Sequence, residues 1–135
     1  MRMQRRIAFW FTVAVLILFW LAALHYNFSH TPLSVRFSWA GIPACAQTSP
    51  AFELGDVPEG TDRLSFTMTD RDMPTFHHGG STIKYAGNTV NQGVIKYTGP
   101  CPPRGEHHTY RWTVQAIDPA GNVLDTGTAD AVFPP

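Results

Sequence analysis

Residues 110–125 read YRWTVQAIDPAGNVLD, and their pattern decides the fold class. Tyr110, Trp112, Val114 and Ala116 alternate with Arg111, Thr113 and Gln115, the period of a strand that buries one face. The turn formers Asp118-Pro119-Ala120-Gly121-Asn122 follow at once and predict a hairpin that pairs this strand with Val123–Asp125. Working upstream, Arg63–Thr69 (RLSFTMT) shows the same alternation through Leu64, Phe66 and Met68, and Val94–Tyr97 reads as a further strand. Turn signals separate these runs, with eleven Gly and eleven Pro in the chain and no apolar run at helical spacing beyond residue 35. An all-β domain with at most a minor helix is expected.

The other end of the 135-residue chain has a different composition. Residues 7–24, IAFWFTVAVLILFWLAAL, contain no charge, and as a helix they would extend roughly 27 Å, close to the hydrocarbon thickness of a bilayer. The run is longer than the apolar region of a cleaved leader and lacks an A-x-A-like exit, which favours an uncleaved anchor. Arg2, Arg5 and Arg6 precede it, while no basic residue follows until Arg36, so the N-terminus is expected in the cytoplasm and the β domain outside, periplasmic or extracellular. The expected organisation is a basic tip at 1–6, a transmembrane signal anchor at 7–24, a tether at 25–34 and an extracytoplasmic domain at 35–135. That domain carries seven basic against ten acidic residues, a balance that offers no nucleic-acid surface.

Two residue types are candidates for chemistry. Cys45 and Cys101 are an even pair in an oxidising compartment, more often bridged than free, the alternative being two buried thiols. Four of the six histidines form adjacent pairs, His77-His78 and His107-His108, both in predicted loops. Neighbouring side chains on extended backbone point to opposite faces, so each pair commits one imidazole to a common site. One His from each pair with Asp70 or Asp72 has the chemistry of a metal site; exposed loop histidines without a joint role are the alternative, and neither a metal nor another cofactor is assigned.

Several short words occur in a fixed order: Ser49-Pro50, Val57-Pro58-Glu59-Gly60-Thr61, Asp70-Arg71-Asp72-Met73-Pro74, and Gly99-Pro100-Cys101-Pro102-Pro103-Arg104-Gly105-Glu106-His107-His108. From about residue 43 to 118, and more loosely to 134, the chain resembles the phosphatidylethanolamine-binding protein family, especially its bacterial and archaeal Raf-kinase-inhibitor-like branch. The resemblance implies a small β-sandwich with an anion pocket. It implicates Asp70, Asp72 and Pro74, His77 or His78 with 78 favoured, Gly99 to Pro103 including Gly99 and Pro100, and His108 with Tyr110. Cys45 and Cys101 flank motifs that meet at that pocket in the family, which supports the bridge. Imidazoles, a phenol and free backbone amides donate to phosphate oxygens, while carboxylates orient and charge the imidazoles.

Three departures from the family pattern stand out. Arg71 occupies the place of a Pro, Thr109 stands where an Arg would pair with the loop carboxylates, and only about sixteen residues separate Pro74 from Asn91, about half the family's spacing. A shortened central region lacking a strand is therefore expected, leaving an apolar surface or open edge for a partner or second copy to cover. The expected function is a membrane-anchored, outward-facing module recognising a small phosphate-type anion or a phospholipid headgroup. The alternative is a non-catalytic accessory or inhibitor subunit of a membrane complex with a vestigial pocket. No nucleophile elbow, P-loop or trusted Ser/Cys–His–acid pattern occurs, so no enzymatic activity is expected.

Overall fold

A computed structural model describes residues 13–23 and 31–134 and divides the chain into two units, Met1–Thr31 and Pro32–Pro135. In the first unit, residues 13–23 are helical. Among the described residues no helix is long and apolar enough to cross a membrane. The rest of the expected span, 7–12 and 24, lies outside the described residues, as do the basic tip and most of the tether.

The second unit is built from β1 (Ser34–Phe37), β2 (Phe52–Gly55), β3 (Arg63–Asp70), β4 (His77–Lys84), β5 (Thr89–Val90), β6 (His108–Ile117) and β7 (Val123–Phe133). All pairings are antiparallel and form two sheets, in the orders β1-β2-β5 and β4-β3-β6-β7. The alternation seen at 110–117 extends along all of β6, where every second residue from His108 to Ala116 is buried. β3 buries Leu64, Phe66, Met68 and Asp70 in the same manner. Phe52 of the smaller sheet closes the core, its ring centroid 4.9 Å from Phe66 and 5.0 Å from Trp112. Those three side chains are essentially inaccessible to water, and each contributes about 1.5–3 kcal/mol or more of apolar burial.

The predicted hairpin is present and longer than expected. Asp118 organises the turn by accepting the Asn122 amide at 2.8 Å and the Asn122 side-chain amide at 2.8 Å, and β7 then runs eleven residues beside β6. Two expectations are corrected. Val94–Tyr97 forms no ladder: Ile95 and Tyr97 are buried in alternation, but the Ile95 and Lys96 amides are taken by the Ser49 and Ser81 hydroxyls. His77 and His78 lie on a strand rather than in a loop, because β4 fills the region expected to lack one. The open edge is in part covered as well, since the Thr98 amide donates to the His78 carbonyl at 2.7 Å along the outer side of β4.

Cys45 and Cys101 form a disulfide across a separation of 56 residues. It joins loops that already approach closely, the Cys45 amide donating to the Pro100 carbonyl at 2.8 Å. A Cβ at Gly99 would collide with the Ala46 carbonyl, so glycine there permits the approach. Replacing both cysteines by Ala should lower the urea-unfolding free energy by up to about 4 kcal/mol, the chain-entropy value for a loop of this length. An unchanged midpoint and slope would show that the bridge does not constrain the unfolded chain.

Candidate functional site

One end of the larger sheet opens into a cavity of about 370 Å³ lined by Asp70, Met73, Phe76, His78, Thr98, Gly99, Cys101, Pro103, His108 and Tyr110. The strand pattern explains how the polar residues arrive there. Asp70 is the last residue of β3 and pairs with Tyr110 on β6, and His108 follows on the same buried face two residues before Tyr110. His78 arrives by a different device. Thr67 pairs with Gly80 but Thr69 pairs with His77, so β4 carries one extra residue, a β-bulge at His78–Gly79. Gly79 supports it with a φ of 73°, and a Cβ on Gly80 would strike the Phe66 carbonyl. The extra residue reverses the alternation, turning His78 inward and leaving His77 exposed.

Asp70 is the electrostatic centre. It is 3% exposed, and its Oδ1 accepts the backbone amides of Asp72 at 2.8 Å and Met73 at 3.0 Å. Its Oδ2 accepts the His108 Nδ1–H at 2.6 Å and lies 4.0 Å from His78 Nε2. Burial alone would raise the carboxyl pKa, but the His108 and backbone hydrogen bonds together outweigh it and hold the value below the usual carboxylate range. His108 is shifted upward, chiefly by its bond to Asp70, against burial and with help from Glu106, whose Oε2 lies 3.4 Å from Nε2. The His78 ring donates from Nδ1 to the Thr98 carbonyl at 2.7 Å, which leaves Nε2 facing Asp70. Burial pushes the Tyr110 phenol up, as does the nearby Asp70 carboxylate; its ring meets His78 edge-on at 5.3 Å and stacks on His108 at 6.2 Å.

Solved structures of two proteins align over nearly their whole length. CT736 of Chlamydia trachomatis, described as a phosphatidylethanolamine-binding protein homologue, is 15% identical with a TM-score of 0.58, over 77% of this chain and 98% of its own. The fold is that of the phosphatidylethanolamine-binding proteins. YbcL of Escherichia coli, described as a member of the mammalian phosphatidylethanolamine-binding protein family, is 17% identical with a TM-score of 0.56, over 76% and 98%. No family profile matches the chain, and no curated protein does.

Within this phosphatidylethanolamine-binding protein fold, Asp70, His78, Gly99, His108 and Tyr110 surround one cavity, as do Cys101 and Pro103 of the Gly99–Pro103 segment. Asp72 lies outside the lining but accepts the Thr109 amide at 2.6 Å, tying the loop after β3 to the start of β6. Pro74 is exposed and Pro100 is buried, and neither lines the cavity. Arg71 reaches Asp130 on β7 at 3.5 Å, beside the closer Arg111–Asp130 pair at 2.7 Å. Met73, Phe76 and Thr98 are the lining residues that sequence reasoning missed; the apolar pair in an otherwise polar loop after Asp70 was the available signal. Among the described residues no group of three or more His, Cys, Asp or Glu side chains is arranged to hold a metal ion.

The Asp70–His108 pair gives stability a defined pH window. The raised His108 pKa makes a contribution that is complete below its ordinary value of 6.5 and lost as pH rises through the folded value. The lowered Asp70 pKa makes one that is complete above 3.8 and lost as pH falls through its own folded value. Unfolding free energy measured by urea should therefore decline as pH rises above 6.5, and His108→Gln should abolish that decline. A decline of equal slope in the variant would assign it to another group.

Proposed function

We propose that the chain is a non-enzymatic member of the phosphatidylethanolamine-binding protein family that binds a small phosphate-type anion in this cavity. The observation that carries the reading is His108, an imidazole whose buried bond to Asp70 favours its charged form at the wall of a cavity shared with His78 and Tyr110. An imidazolium donates charge-assisted hydrogen bonds to phosphate oxygens. Asp70 holds the ring's other nitrogen, Tyr110 stacks on the His108 ring, and His78 offers a second ring within the same space. With Nδ1 on Asp70 and Nε2 beside Glu106, His108 is placed to hold charge rather than to take a proton from a hydroxyl, which supports binding over catalysis.

The same reading places the domain outside a membrane, anchored by residues 7–24 with Arg2, Arg5 and Arg6 in the cytoplasm. The apolar sequence of that run, the helix over 13–23 and the Cys45–Cys101 bridge, which belongs in an oxidising compartment, all support it. A phospholipid headgroup is one source of such a phosphate. A partner protein covering the cavity mouth is the second reading, favoured by the half-exposed Met73 and Phe76 there.

Calorimetry of the detergent-solubilised full chain with phosphate, phosphoethanolamine and acetate separates these. Phosphate affinity should fall as pH rises through the His108 titration above 6.5, and His108→Ala should cost about 1.5–3 kcal/mol of binding. Binding that ignores both pH and the substitution, or no binding at all, would favour the accessory-subunit reading.

A further inference from the structure

His108 has one nitrogen to offer a ligand, and that nitrogen is already occupied. Nδ1 is held by Asp70, leaving Nε2, which lies 3.4 Å from the Glu106 carboxylate. The two partners differ in kind. Asp70 is buried and fixed by two backbone amides, whereas the Glu106 side chain is 59% exposed and has room to swing into solvent. Its backbone is nevertheless well placed: the Glu106 amide donates to the Pro103 carbonyl at 2.9 Å across a turn in which Gly105 has a φ of 87°. The turn sets Glu106 two residues before His108, on the same side of extended chain.

We propose that Glu106 is a tethered competitor for the anion, a specificity-determining carboxylate that any ligand must displace from His108 Nε2. The inference rests on reading the cavity as an anion site. A carboxylate two residues away acts at an effective concentration in at least the millimolar range, so exchange for a free carboxylate of the same chemistry gains nothing. A ligand prevails only if it does more than replace that single contact. Phosphate meets the requirement because at pH 6 it keeps P–OH groups besides the oxygen at His108 Nε2, and one of these can donate to the unprotonated Nε2 of His78 in the same cavity; ionised acetate has no hydroxyl to offer. Glu106 thus sets a threshold that selects multidentate anions over simple carboxylates.

The test is calorimetry of inorganic phosphate and acetate at pH 6 against the full chain and Glu106→Gln. Glu59→Gln serves as the charge control, in the turn before Asp62, whose amide bonds the Ile117 carbonyl at the end of β6 remote from His108. Glu106→Gln should bind phosphate about fivefold tighter or more and should bind acetate measurably, with Glu59→Gln unchanged and the gain absent when His108→Gln is added. Equal phosphate affinity in wild type and Glu106→Gln, with His108→Gln still weakening both, overturns the competition and leaves the anion site standing. No binding of either anion by any variant overturns both. A His108 ring whose NMR titration is unmoved by Glu106→Gln also overturns the proposal, because the contact it depends on is then absent.

Discussion

A carboxylate at the end of β3 is buried with its charge, and the surrounding structure is arranged to make that tolerable. An ionised group out of water costs several kcal/mol unless its lone pairs are satisfied, and Asp70 satisfies them from three directions. Two backbone amides of its own loop fold the chain sharply after β3, and His108 ties that loop to the first residue of β6. Asp72 adds a second side-chain bond to β6 through the Thr109 amide, and the Arg71 amide donates to the Thr109 carbonyl at 2.9 Å beside it. Cavity geometry and local stability therefore rest on the same few bonds, and a change to Asp70 would disturb the fold of the loop together with the cavity wall.

The aromatic core supplies the rigidity that this arrangement requires. Trp112 lies two residues beyond Tyr110 on the same face of β6, packed against Phe52, Phe66 and Tyr97. Trp39 approaches Tyr110 from outside the larger sheet, its ring 6.0 Å away, and also meets Phe133. The cavity wall is thus continuous with the core, whereas its mouth at Met73 and Phe76 is not. On the far side, the Cys45–Cys101 bridge and the close approach at Gly99 brace the loop that completes the wall.

Where side-chain alternation is strict and long, sequence reading identified the element: β3, β6 and the hairpin into β7 follow from period two and one turn. The smaller sheet escaped it because its strands have two to four residues, too few for any period to emerge. Ile95 and Tyr97 misled for the opposite reason, an alternating burial in a segment whose amides bond to serine hydroxyls instead of a strand. Of the residues that line the cavity, Asp70 and His108 stood in the ordered motifs, and His78 and Tyr110 were implicated by the resemblance. The β4 strand was not, because its two glycines resemble a loop, and neither Met73 nor Phe76 belongs to any polar pattern. Glu106 lay within a quoted motif, yet only distance shows that it addresses a ring two residues away.

The bulge in β4 makes two adjacent, chemically identical residues unequal. His78 is inside and His77 outside because of a counting offset of one, not because of any difference between the side chains. Losing or gaining a single residue between His78 and Ser81 would exchange the two imidazoles while leaving composition almost untouched. For this segment chain length is therefore the heritable quantity that matters, and an in-frame insertion or deletion would be more disruptive than most substitutions at the same positions.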